Sequence, residues 1–368
     1  MTTPKINILI FHPYSKIGGA DLSISKLINN LNHNKYKIEF ICLNRQKIKK
    51  YLKKNIKIHV IKSSKTIYSI FKVRKIIQNN LKKDFKKIIF LSNQNFANII
   101  SYFITYNLRT YLKTVAVERN HISELFTYFS TKDFFKKLII KNLMKLTYNK
   151  FDMIIGNSKE LSKDLGKYLN LKTHTIYNPV TNYHHKKNVA KKNKRVVLNV
   201  GRLENQKDHI TLIKAIYLVN KKLDVNLIII GNGSLYQMLT RLIINFQLEK
   251  KIKIINNINN PRPFYKKSNL FVLTSLYEGF PNVITESIGM NLPVISSDCK
   301  SGPAEILMSS RGPDIFTKGD YKDLSKKIVN HFKNPSILNK KCLKVKKSFN
   351  RFELKNLTNI YDKLFLNL

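Results

Sequence analysis

The feature that most constrains the fold is the regular alternation of short apolar runs with longer amphipathic segments. Ile6–His12 has a strand pattern, Gly18–Leu31 has apolar residues at helical spacing, and Lys37–Leu43 is strand-like again. Strands that alternate with helices favour right-handed crossovers and a parallel sheet with helices on both faces. The sequence therefore predicts the α/β class.

The alternation is interrupted once, and the length of the chain indicates two domains. The 368 residues exceed the roughly 150–200 that one domain usually holds. Thr181–Lys194 is polar and basic without apolar periodicity, which is typical of a linker, and Phe352–Leu366 is a helix pattern with no strand after it. We predict two doubly wound Rossmann-like domains facing a central cleft, with these bounds: domain 1–180, linker 181–194, domain 195–345, and a C-terminal helix within 346–368 that packs back on the first domain.

Composition excludes several classes of protein. A hydrophobic content of 43% is typical of globular chains, and no apolar run reaches the ~18–20 residues of a membrane span. The cysteines Cys42, Cys299 and Cys342 are odd in number and far apart, which argues against a disulfide framework and structural zinc. The segment Met1–Phe11 is a first strand pattern rather than a basic leader. We therefore expect a cytoplasmic protein that holds no metal.

The net charge is extreme, with 67 Lys and Arg against 22 Asp and Glu, formally +45. Such a charge attracts anions, whether acidic lipid, nucleic acid or a phosphorylated substrate. The alternative is a codon bias of the genome, because Lys, Asn, Ile, Phe and Tyr are abundant together and Trp is absent. The charge alone does not choose between these explanations.

One basic segment, Thr131–Lys150, has a helix pattern that allows two interpretations. Its apolar stripe consists of Phe134, Phe135, Leu138, Ile139, Leu143 and Leu146. A basic helix with such a stripe is typical of a helix attached to a membrane surface. The same stripe also suits a helix that faces the core of the first domain.

The strongest candidate site lies in Ser275–Leu307, which carries Glu278 and Glu286 with seven residues between them. Ligands of open parallel sheets bind outside the carboxyl ends of the strands, where this strand-turn-helix pattern falls. Carboxylates accept paired hydrogen bonds from sugar diols, although the two could instead form an acid/base couple. The turn and helix start add backbone groups suited to phosphate or a sugar hydroxyl, contributed by Gly279, Phe280, Pro281 and Asn282. Asn291 is predicted to end this helix in the left-handed conformation.

A second set of candidates follows the strands before this segment. A buried strand pattern ends at Gly201, and Arg202 and Lys207 follow in the loop. An Arg fork, a mobile Lys and the N-terminus of the next helix suit a diphosphate. Gly231 and Gly233 follow the next strand and indicate either a contact with a nucleotide base or a plain tight turn.

The first half of the chain offers weaker candidates. Gly18, Gly19 and Asp21 open a helix after the first strand, where a glycine pair either admits a ligand or makes a simple turn. His121 follows the strand pattern Thr114–Glu118 and is either a contact to a donor sugar or an ordinary loop histidine. His184 and His185 lack a partner at metal-ligand spacing.

These motifs resemble retaining glycosyltransferase family four, which has the GT-B architecture. The resemblance is strongest in GRLENQKD, IIIGNGSL and SLYEGFPNVITESIGMNLPVISSDCKSGPAEIL, where Glu278 and Glu286 match the E-x7-E signature. GGAD, GNSKEL and IYNPV match more loosely in the first half. The early motif ends in Asp21 where the family often has Glu, Asn291 replaces a helix-ending glycine, and His121 aligns loosely with the family's histidine for the donor sugar.

The resemblance implies a nucleotide-sugar donor, UDP- or GDP-linked, bound by the second domain, and an acceptor bound by the first. It implies that Arg202 and Lys207 bind the diphosphate, Glu278 the donor sugar and Glu286 the ribose. Transfer would retain the anomeric configuration without a metal or other cofactor, since the nucleotide sugar is a substrate. The acceptor would be a glycan or a polyprenyl-diphosphate-linked sugar of a capsule or lipopolysaccharide pathway. That chemistry implies a cytoplasmic protein, or one bound peripherally to an anionic membrane on the cytoplasmic face of the inner membrane.

Two other functions are weighed against transfer. A nucleotide-sugar epimerase would use the same cations and Glu286, but the E-x7-E block favours transfer. A nucleic-acid-binding protein is suggested by charge alone and leaves the two glutamates unexplained. We therefore expect no specific nucleic-acid partner.

Overall fold

The computed structural model describes residues 5–13, 18–44, 47–180, 194–258 and 260–368. The chain divides into two compact units. Unit 1 comprises Met1–Pro179 and Phe352–Leu368, and unit 2 comprises Val180–Arg351. The predicted linker, 181–194, lies outside the described residues except for Lys194, as do His184 and His185.

The described residues of unit 1 form a seven-stranded parallel sheet in the order β3-β2-β1-β4-β5-β6-β7. Its strands are β1 (Ile6–Phe11), β2 (Tyr36–Leu43), β3 (Lys57–Ile61), β4 (Lys87–Asn93), β5 (Lys113–Glu118), β6 (Met153–Gly156) and β7 (His174–Thr175). The chain runs outward from β1 to β3 and then returns to place β4 beside β1. Ligands of such sheets bind at this reversal.

Helices cover both faces of this sheet. They are α1 (Gly19–Asn30), α2 (Ile70–Leu81), α3 (Asn95–Thr105), α4 (Thr131–Thr147) and α5 (Lys159–Leu169). Alternate residues of β1 point to opposite cores: Ile8 packs in the cluster that contains α1 residues, and Leu9 in the one that contains α2 and α3 residues. Burial on both faces explains the continuous apolar run of this strand.

The described residues of unit 2 form a six-stranded parallel sheet in the order β10-β9-β8-β11-β12-β13. Its strands are β8 (Arg195–Val200), β9 (Val225–Ile230), β10 (Ile252–Ile255), β11 (Leu270–Leu273), β12 (Val294–Ser297) and β13 (Ile315–Phe316). The order reverses between β8 and β11, so the loops that follow these two strands lie side by side.

The helices of unit 2 connect these strands and then follow the sheet. They are α6 (His209–Asn220), α7 (Tyr236–Asn245), α8 (Arg262–Lys267), α9 (Asn282–Gly289), α10 (Pro303–Leu307), α11 (Tyr321–Lys333) and α12 (Ser336–Lys347). Asn291 has φ 57° after α9, so the predicted left-handed residue is confirmed. The prediction of two doubly wound, parallel-sheet Rossmann-like domains is also confirmed.

The final helix, α13 (Leu354–Leu366), belongs to unit 1. Leu357, Tyr361 and Phe365 recur every four residues and are all buried in the core beside α1. Lys35 binds Asp362 at 2.7 Å, which adds an ion pair at the edge of this contact. The apolar stripe of a helix with no following strand thus completes one face of unit 1.

The structure also shows which residues of α4 face the core and which are exposed to solvent. Its core contacts come from Ile140 and Met144, which are 9% and 2% exposed, and from the partly buried Leu143 of the predicted stripe. Phe135, Ile139 and Leu146 are 57%, 60% and 61% exposed. The interpretation of the stripe as core-facing is therefore wrong for these three residues. No helix in the described part of the chain is long and apolar enough to cross a membrane.

Candidate functional site

The loops after β8 and β9 in unit 2 approach each other backbone to backbone. Leu203 N–H donates to the Asn232 carbonyl at 2.9 Å. A Cβ added to Gly231 would lie 1.8 Å from the carbonyl oxygen of Gly201, and one added to Gly233 would lie 2.2 Å from that of Leu203. Gly233, the second glycine of the G-x-G pattern, is thus explained by the close packing of these two loops. A contact between Gly231 and a nucleotide stays a prediction.

The replacement of Gly231 by Ala should therefore destabilise unit 2. The new methyl group overlaps a backbone oxygen that cannot move without shifting β8, so we expect a loss of at least about 3 kcal/mol in the free energy of unfolding. Gly201→Ala is the matched control, because the atoms nearest to its Cβ would be Cγ, Cδ and Cε of the flexible Lys207 side chain, at 3.4, 3.5 and 3.6 Å. Urea unfolding of the two variants measures the difference. Equal stabilities would contradict the packing explanation.

The centre of the candidate site is a largely buried ion pair between the loops after β8 and β11. Lys207 Nζ donates to Glu278 Oε1, and Ser275 Oγ donates to the same oxygen at 2.6 Å. Thr274 Oγ1 donates to the carbonyl of Lys207 at 2.7 Å, which fixes the backbone of the cation. The side chains of Lys207 and Glu278 are 14% and 8% exposed. Two predicted residues, 71 positions apart, are thus brought together.

Arg202 stands beside this pair and is held by a glutamine. Arg202 Nη2 donates to Gln206 Oε1 at 2.9 Å, while Gln206 Nε2 donates to the carbonyl of Tyr277 at 2.9 Å. Gln206 is buried, whereas Arg202 is exposed. Gln206 therefore joins the loop of the two cations to the loop of Glu278. Sequence reasoning missed Gln206, because a glutamine between two cations in a loop has no distinctive pattern.

The Gly-Phe-Pro turn after Glu278 is fixed from the loop that follows β12. Ser301 Oγ donates to the carbonyl of Gly279 at 2.9 Å. Gly302 has φ +85°, and a Cβ there would lie 2.5 Å from the Pro281 ring. Phe280 and Pro281 are themselves buried. Their side chains shape the turn, so any ligand contact here would fall to backbone groups.

Glu286 occupies a different environment from Glu278. It lies on α9 four residues after Asn282, and both are partly exposed. Tyr265 Oη donates to Glu286 Oε2 at 3.1 Å, and the Tyr265 ring stacks on Phe271 with centroids 5.9 Å apart. Tyr265 belongs to α8, a helix that was not predicted from the sequence. The two glutamates thus have separate partners.

The thiol of Cys299, near Glu278, is not activated as a nucleophile. Burial, with a further contribution from the Glu278 carboxylate, raises the pKa of Cys299 to about 12. The thiol is therefore neutral near pH 7, and a neutral thiol is a weak nucleophile. In the described ranges, no group of three or more His, Cys, Asp or Glu side chains is placed to hold a metal ion.

In unit 1, the candidate Asp21 belongs to a buried chain of polar side chains at the reversal of the sheet. Asp21 Oδ2 accepts from Gly18 N–H at 2.8 Å, and Asp21 Oδ1 lies 2.9 Å from His12 Nε2. His12 Nδ1 lies 2.9 Å from Asn93 Nδ2, and Arg119 Nε donates to Asn93 Oδ1 at 2.8 Å. Arg119 Nη1 continues the chain to Asn178 Oδ1.

Arg119 determines which atoms donate and which accept along this chain of polar side chains. A guanidinium only donates, so the oxygen of the Asn93 amide must face it and the NH2 group must face His12. Nδ1 of His12 then accepts, and its Nε2–H donates to Asp21. His12, Asn93, Arg119 and Asn178 were not predicted, because they are far apart in the sequence and no local pattern connects them. The structure brings Gly18 and Asp21 together, and their contact with an acceptor stays a prediction.

His121 forms hydrogen bonds with Ser123 and Asp164. Its Nδ1 accepts from Ser123 N–H at 3.1 Å, so its Nε2–H points to Asp164 at 3.1 Å. The imidazole is 2% exposed and lines a small cavity of unit 1 together with Glu118 and Glu124. The histidine is thus a buried, hydrogen-bonded residue, and its contact with a donor sugar stays a prediction.

Because of Glu118, the free energy of unfolding should depend measurably on pH. Burial raises its pKa from 4.5 to about 7, against the lowering effect of hydrogen bonds from Tyr148 and Asn98. A raised pKa of an acid contributes stability below about pH 4.5 that is lost as the pH rises through about 7. Glu118→Gln cannot ionise, so it should gain up to about 3 kcal/mol relative to the wild type between pH 4.5 and pH 8. Denaturant unfolding at both pH values tests this, and a constant difference would contradict it.

Comparison with known proteins connects these observations to a family. The family model described as Glycosyl transferases group 1 matches residues 180–348, which contain the whole candidate site of unit 2. An uncharacterized glycosyltransferase, MJ1059 of Methanocaldococcus jannaschii, is 42% identical over 127 residues, 34% of this chain and 31% of that protein. The N-acetylgalactosamine-N,N'-diacetylbacillosaminyl-diphospho-undecaprenol 4-alpha-N-acetylgalactosaminyltransferase of Campylobacter jejuni is 35% identical over 192 residues, 50% of this chain.

The matches to these two relatives thus span about a third and a half of their lengths. A longer match, at 24% identity, covers 82% of this chain and 83% of the amylovoran biosynthesis glycosyltransferase AmsD of Erwinia amylovora.

Solved structures with a similar fold match nearly the whole chain. Anabaena Alr3699/HepE in complex with UDP and glucose has a TM-score of 0.77 at 18% identity, covering 98% of this chain and 100% of its own. Sucrose-phosphate synthase of Thermosynechococcus elongatus has a TM-score of 0.80 at 15% identity, covering 99% and 100%. At these identities the likeness concerns the fold alone. The match to the family model, rather than the likeness in fold, shows that the chain carries a glycosyltransferase group 1 domain at residues 180–348.

Proposed function

We propose that this protein is a retaining glycosyltransferase that moves a sugar from a UDP- or GDP-sugar to a glycan or lipid-linked acceptor. The observation that carries the proposal is the largely buried pair of Lys207 and Glu278, with Arg202 beside it, at the reversal of the unit 2 sheet. This arrangement combines two cations suited to a diphosphate with a carboxylate suited to sugar hydroxyls. The group 1 domain contains all three residues.

The ion pair suggests how a donor would enter the site. The ammonium of Lys207 would exchange the carboxylate for a phosphate oxygen, which releases Glu278 to accept hydrogen bonds from the donor sugar. Arg202 would bind the diphosphate with a guanidinium already oriented by Gln206. Backbone groups of Gly201, Gly231 and the Gly279–Asn282 turn would complete this side of the site.

Glu286 is proposed to bind the ribose. Its carboxylate is already held from one side by the Tyr265 hydroxyl at 3.1 Å, which leaves a fixed orientation toward a diol. Carboxylates accept two hydrogen bonds from neighbouring hydroxyls readily. Because Glu286 and Glu278 have different partners, one ribose contact and one sugar contact explain the pair better than an acid/base couple that shares one reacting atom.

In the proposed reaction, an acceptor hydroxyl attacks the anomeric carbon on the face from which the diphosphate leaves. The bond from that carbon to the phosphate oxygen breaks, the new glycosidic bond forms, and the hydroxyl proton passes to the departing diphosphate. Arg202 and Lys207 would neutralise the developing charge, as preorganised cations do. With these cations in place, the proposal requires no metal and no cofactor.

The acceptor is proposed to bind unit 1, near Gly18, Gly19 and Asp21. Two of the named relatives are a transferase for a diphospho-undecaprenol-linked sugar and an amylovoran biosynthesis glycosyltransferase, and matches also include two capsular polysaccharide biosynthesis glycosyltransferases of Staphylococcus aureus. We propose an acceptor of this kind, a glycan or a sugar linked to polyprenyl diphosphate. The protein would then work in the cytoplasm, at the anionic surface of the membrane that holds the acceptor.

One experiment tests this proposal. Nucleotide sugars are screened for thermal stabilisation of the full chain, and nucleotide release is then measured with polyprenyl-diphosphate-linked acceptors. We expect stabilisation by one UDP- or GDP-sugar and acceptor-dependent release, with a product of the donor's anomeric configuration by NMR. An inverted product would exclude retention, and an altered donor sugar without an acceptor would indicate an epimerase.

A further inference from the structure

We propose that α4 and the segment before it form a surface that inserts its side chains into an anionic lipid bilayer. This α4 surface consists of Phe126, Phe134, Phe135, Leu138, Ile139 and Leu146. The proposal rests on the proposed function only in that a lipid-linked acceptor gives the contact its purpose.

The apolar side chains of the α4 surface are exposed to solvent. All six side chains are between 38% and 61% exposed, although a helix in water normally turns such residues inward. The opposite face of α4 is already packed in the core through Ile140 and Met144, so a rotation of the helix cannot bury them. Contiguous exposed apolar residues of this kind mark a surface that another phase or molecule covers.

The surface is also continuous. The Phe134 ring contacts the Phe135 ring with centroids 5.4 Å apart and the Tyr128 ring with centroids 5.1 Å apart. Lys141 Nζ lies 4.8 Å from the Phe126 ring centre and 5.7 Å from that of Tyr128, which links the segment before the helix to the helix itself. The aromatic rings therefore form one patch rather than scattered exposures.

The charge on α4 is predominantly positive. The only acid on α4 is Asp133, and it is bound by Lys137 at 2.6 Å. Lys132, Lys136, Lys141 and Lys145 complete the set of cations on the helix. Lys141 and Lys145 rest against aromatic rings, the latter 5.1 Å from the centre of Tyr168. Long lysine side chains at such positions reach lipid phosphates while their stems cover apolar surface.

A bilayer fits this combination better than a nucleic acid does. Rings could stack on bases, but the aliphatic side chains of Leu138, Ile139 and Leu146 gain nothing from a phosphate backbone. The boundary between headgroups and acyl chains offers both anions and an apolar depth of about 5–10 Å. On contact, Lys141 and Lys145 would leave their rings for lipid phosphates, and the rings and aliphatic groups would enter the boundary.

Flotation of the full chain with vesicles tests this surface. The vesicles contain phosphatidylcholine alone or with 30% phosphatidylglycerol, and the test variant is Phe135→Ser with Ile139→Ser and Leu146→Ser. The matched control is Tyr236→Ser with Ile244→Ser and Ile337→Ser in unit 2, at 40%, 51% and 55% exposure. We expect at least a tenfold loss of binding to anionic vesicles for the test variant and wild-type binding for the control. Because all six positions are exposed, both variants should unfold at the wild-type temperature.

A charge variant separates the lysines from the apolar groups. Lys141→Glu with Lys145→Glu should abolish the preference for phosphatidylglycerol, whereas Lys250→Glu with Lys253→Glu in unit 2, which makes the same change in net charge, should keep it. Equal binding by the apolar test variant and its control would overturn the proposal. So would wild-type protein that binds RNA at 0.2 M salt and ignores anionic vesicles, since nucleic acid would then be the partner.

The outcome is separable from that of the proposed function. Transfer is assayed in parallel with a water-soluble, short-chain acceptor. If the wild type floats and no nucleotide sugar supports transfer, the surface stands and the proposed function fails. If transfer occurs and the apolar variant floats like the wild type, the proposed function stands and the α4 surface is refuted.

Discussion

Glu278→Gln should lower the rate of sugar transfer by about 10²–10³-fold. The amide keeps the shape of the side chain and still accepts from Ser275, but it cannot balance the charge of Lys207 or bind sugar hydroxyls as strongly. The loss should fall on kcat, because the interaction matters most as charge develops at the sugar. Steady-state kinetics with the donor found by screening measures it.

Folding is the necessary control for this variant. Removing one charge from a largely buried pair should reduce the free energy of unfolding by about 1–3 kcal/mol, which leaves the protein folded at 25 °C. Glu249→Gln, at an exposed position of unit 2, should match the wild type in both rate and stability. Near-normal turnover by Glu278→Gln would remove this carboxylate from the site.

Arg202→Ala should weaken the binding of the free nucleoside diphosphate by about 10–100-fold, equivalent to about 1.4–3 kcal/mol. Its guanidinium is exposed and is oriented by Gln206, so the change removes a phosphate ligand without opening the core. The melting temperature without ligand should therefore stay at the wild-type value. Isothermal titration with UDP and GDP measures the affinity.

The salt dependence gives this prediction a second readout. A lost phosphate contact should flatten the dependence of affinity on ionic strength, because one fewer cation faces the diphosphate. Arg241→Ala, an exposed arginine on α7, lowers the net charge equally and should change neither quantity much. If both arginine variants bind alike, general electrostatic attraction rather than a bound diphosphate explains any loss.

Much of the fold was predictable because strands buried on both faces are apolar throughout. β3 was missed, since Lys57–Ile61 lies at the sheet edge and is mostly half-exposed or exposed. α12 was missed although Leu338, Cys342 and Val345 are buried at helical spacing, because its many lysines hide the pattern. For α4, apolar residues occur on more than one face, and only packing shows which of them reach the core.

The candidate site was predicted residue by residue but not as an arrangement. Local patterns singled out Arg202, Lys207 and Glu278, yet no local pattern shows that a lysine binds a glutamate 71 residues away. That contact exists because β8 and β11 are neighbours in the sheet. The spacing of Glu278 and Glu286 likewise suggested a pair, whereas the structure gives each its own partners.

The sequence by itself determined the class of fold, the strand ends that carry the candidate residues and the chemical types of those residues, because periodicity and turn chemistry are local properties of the chain. Only the tertiary structure decided which side chains meet, as in the chain from Asp21 to Asn178, and which face of α4 is left to solvent. Those outcomes depend on the order of strands in a sheet and on the shape of a core, to which residues distant in sequence contribute together.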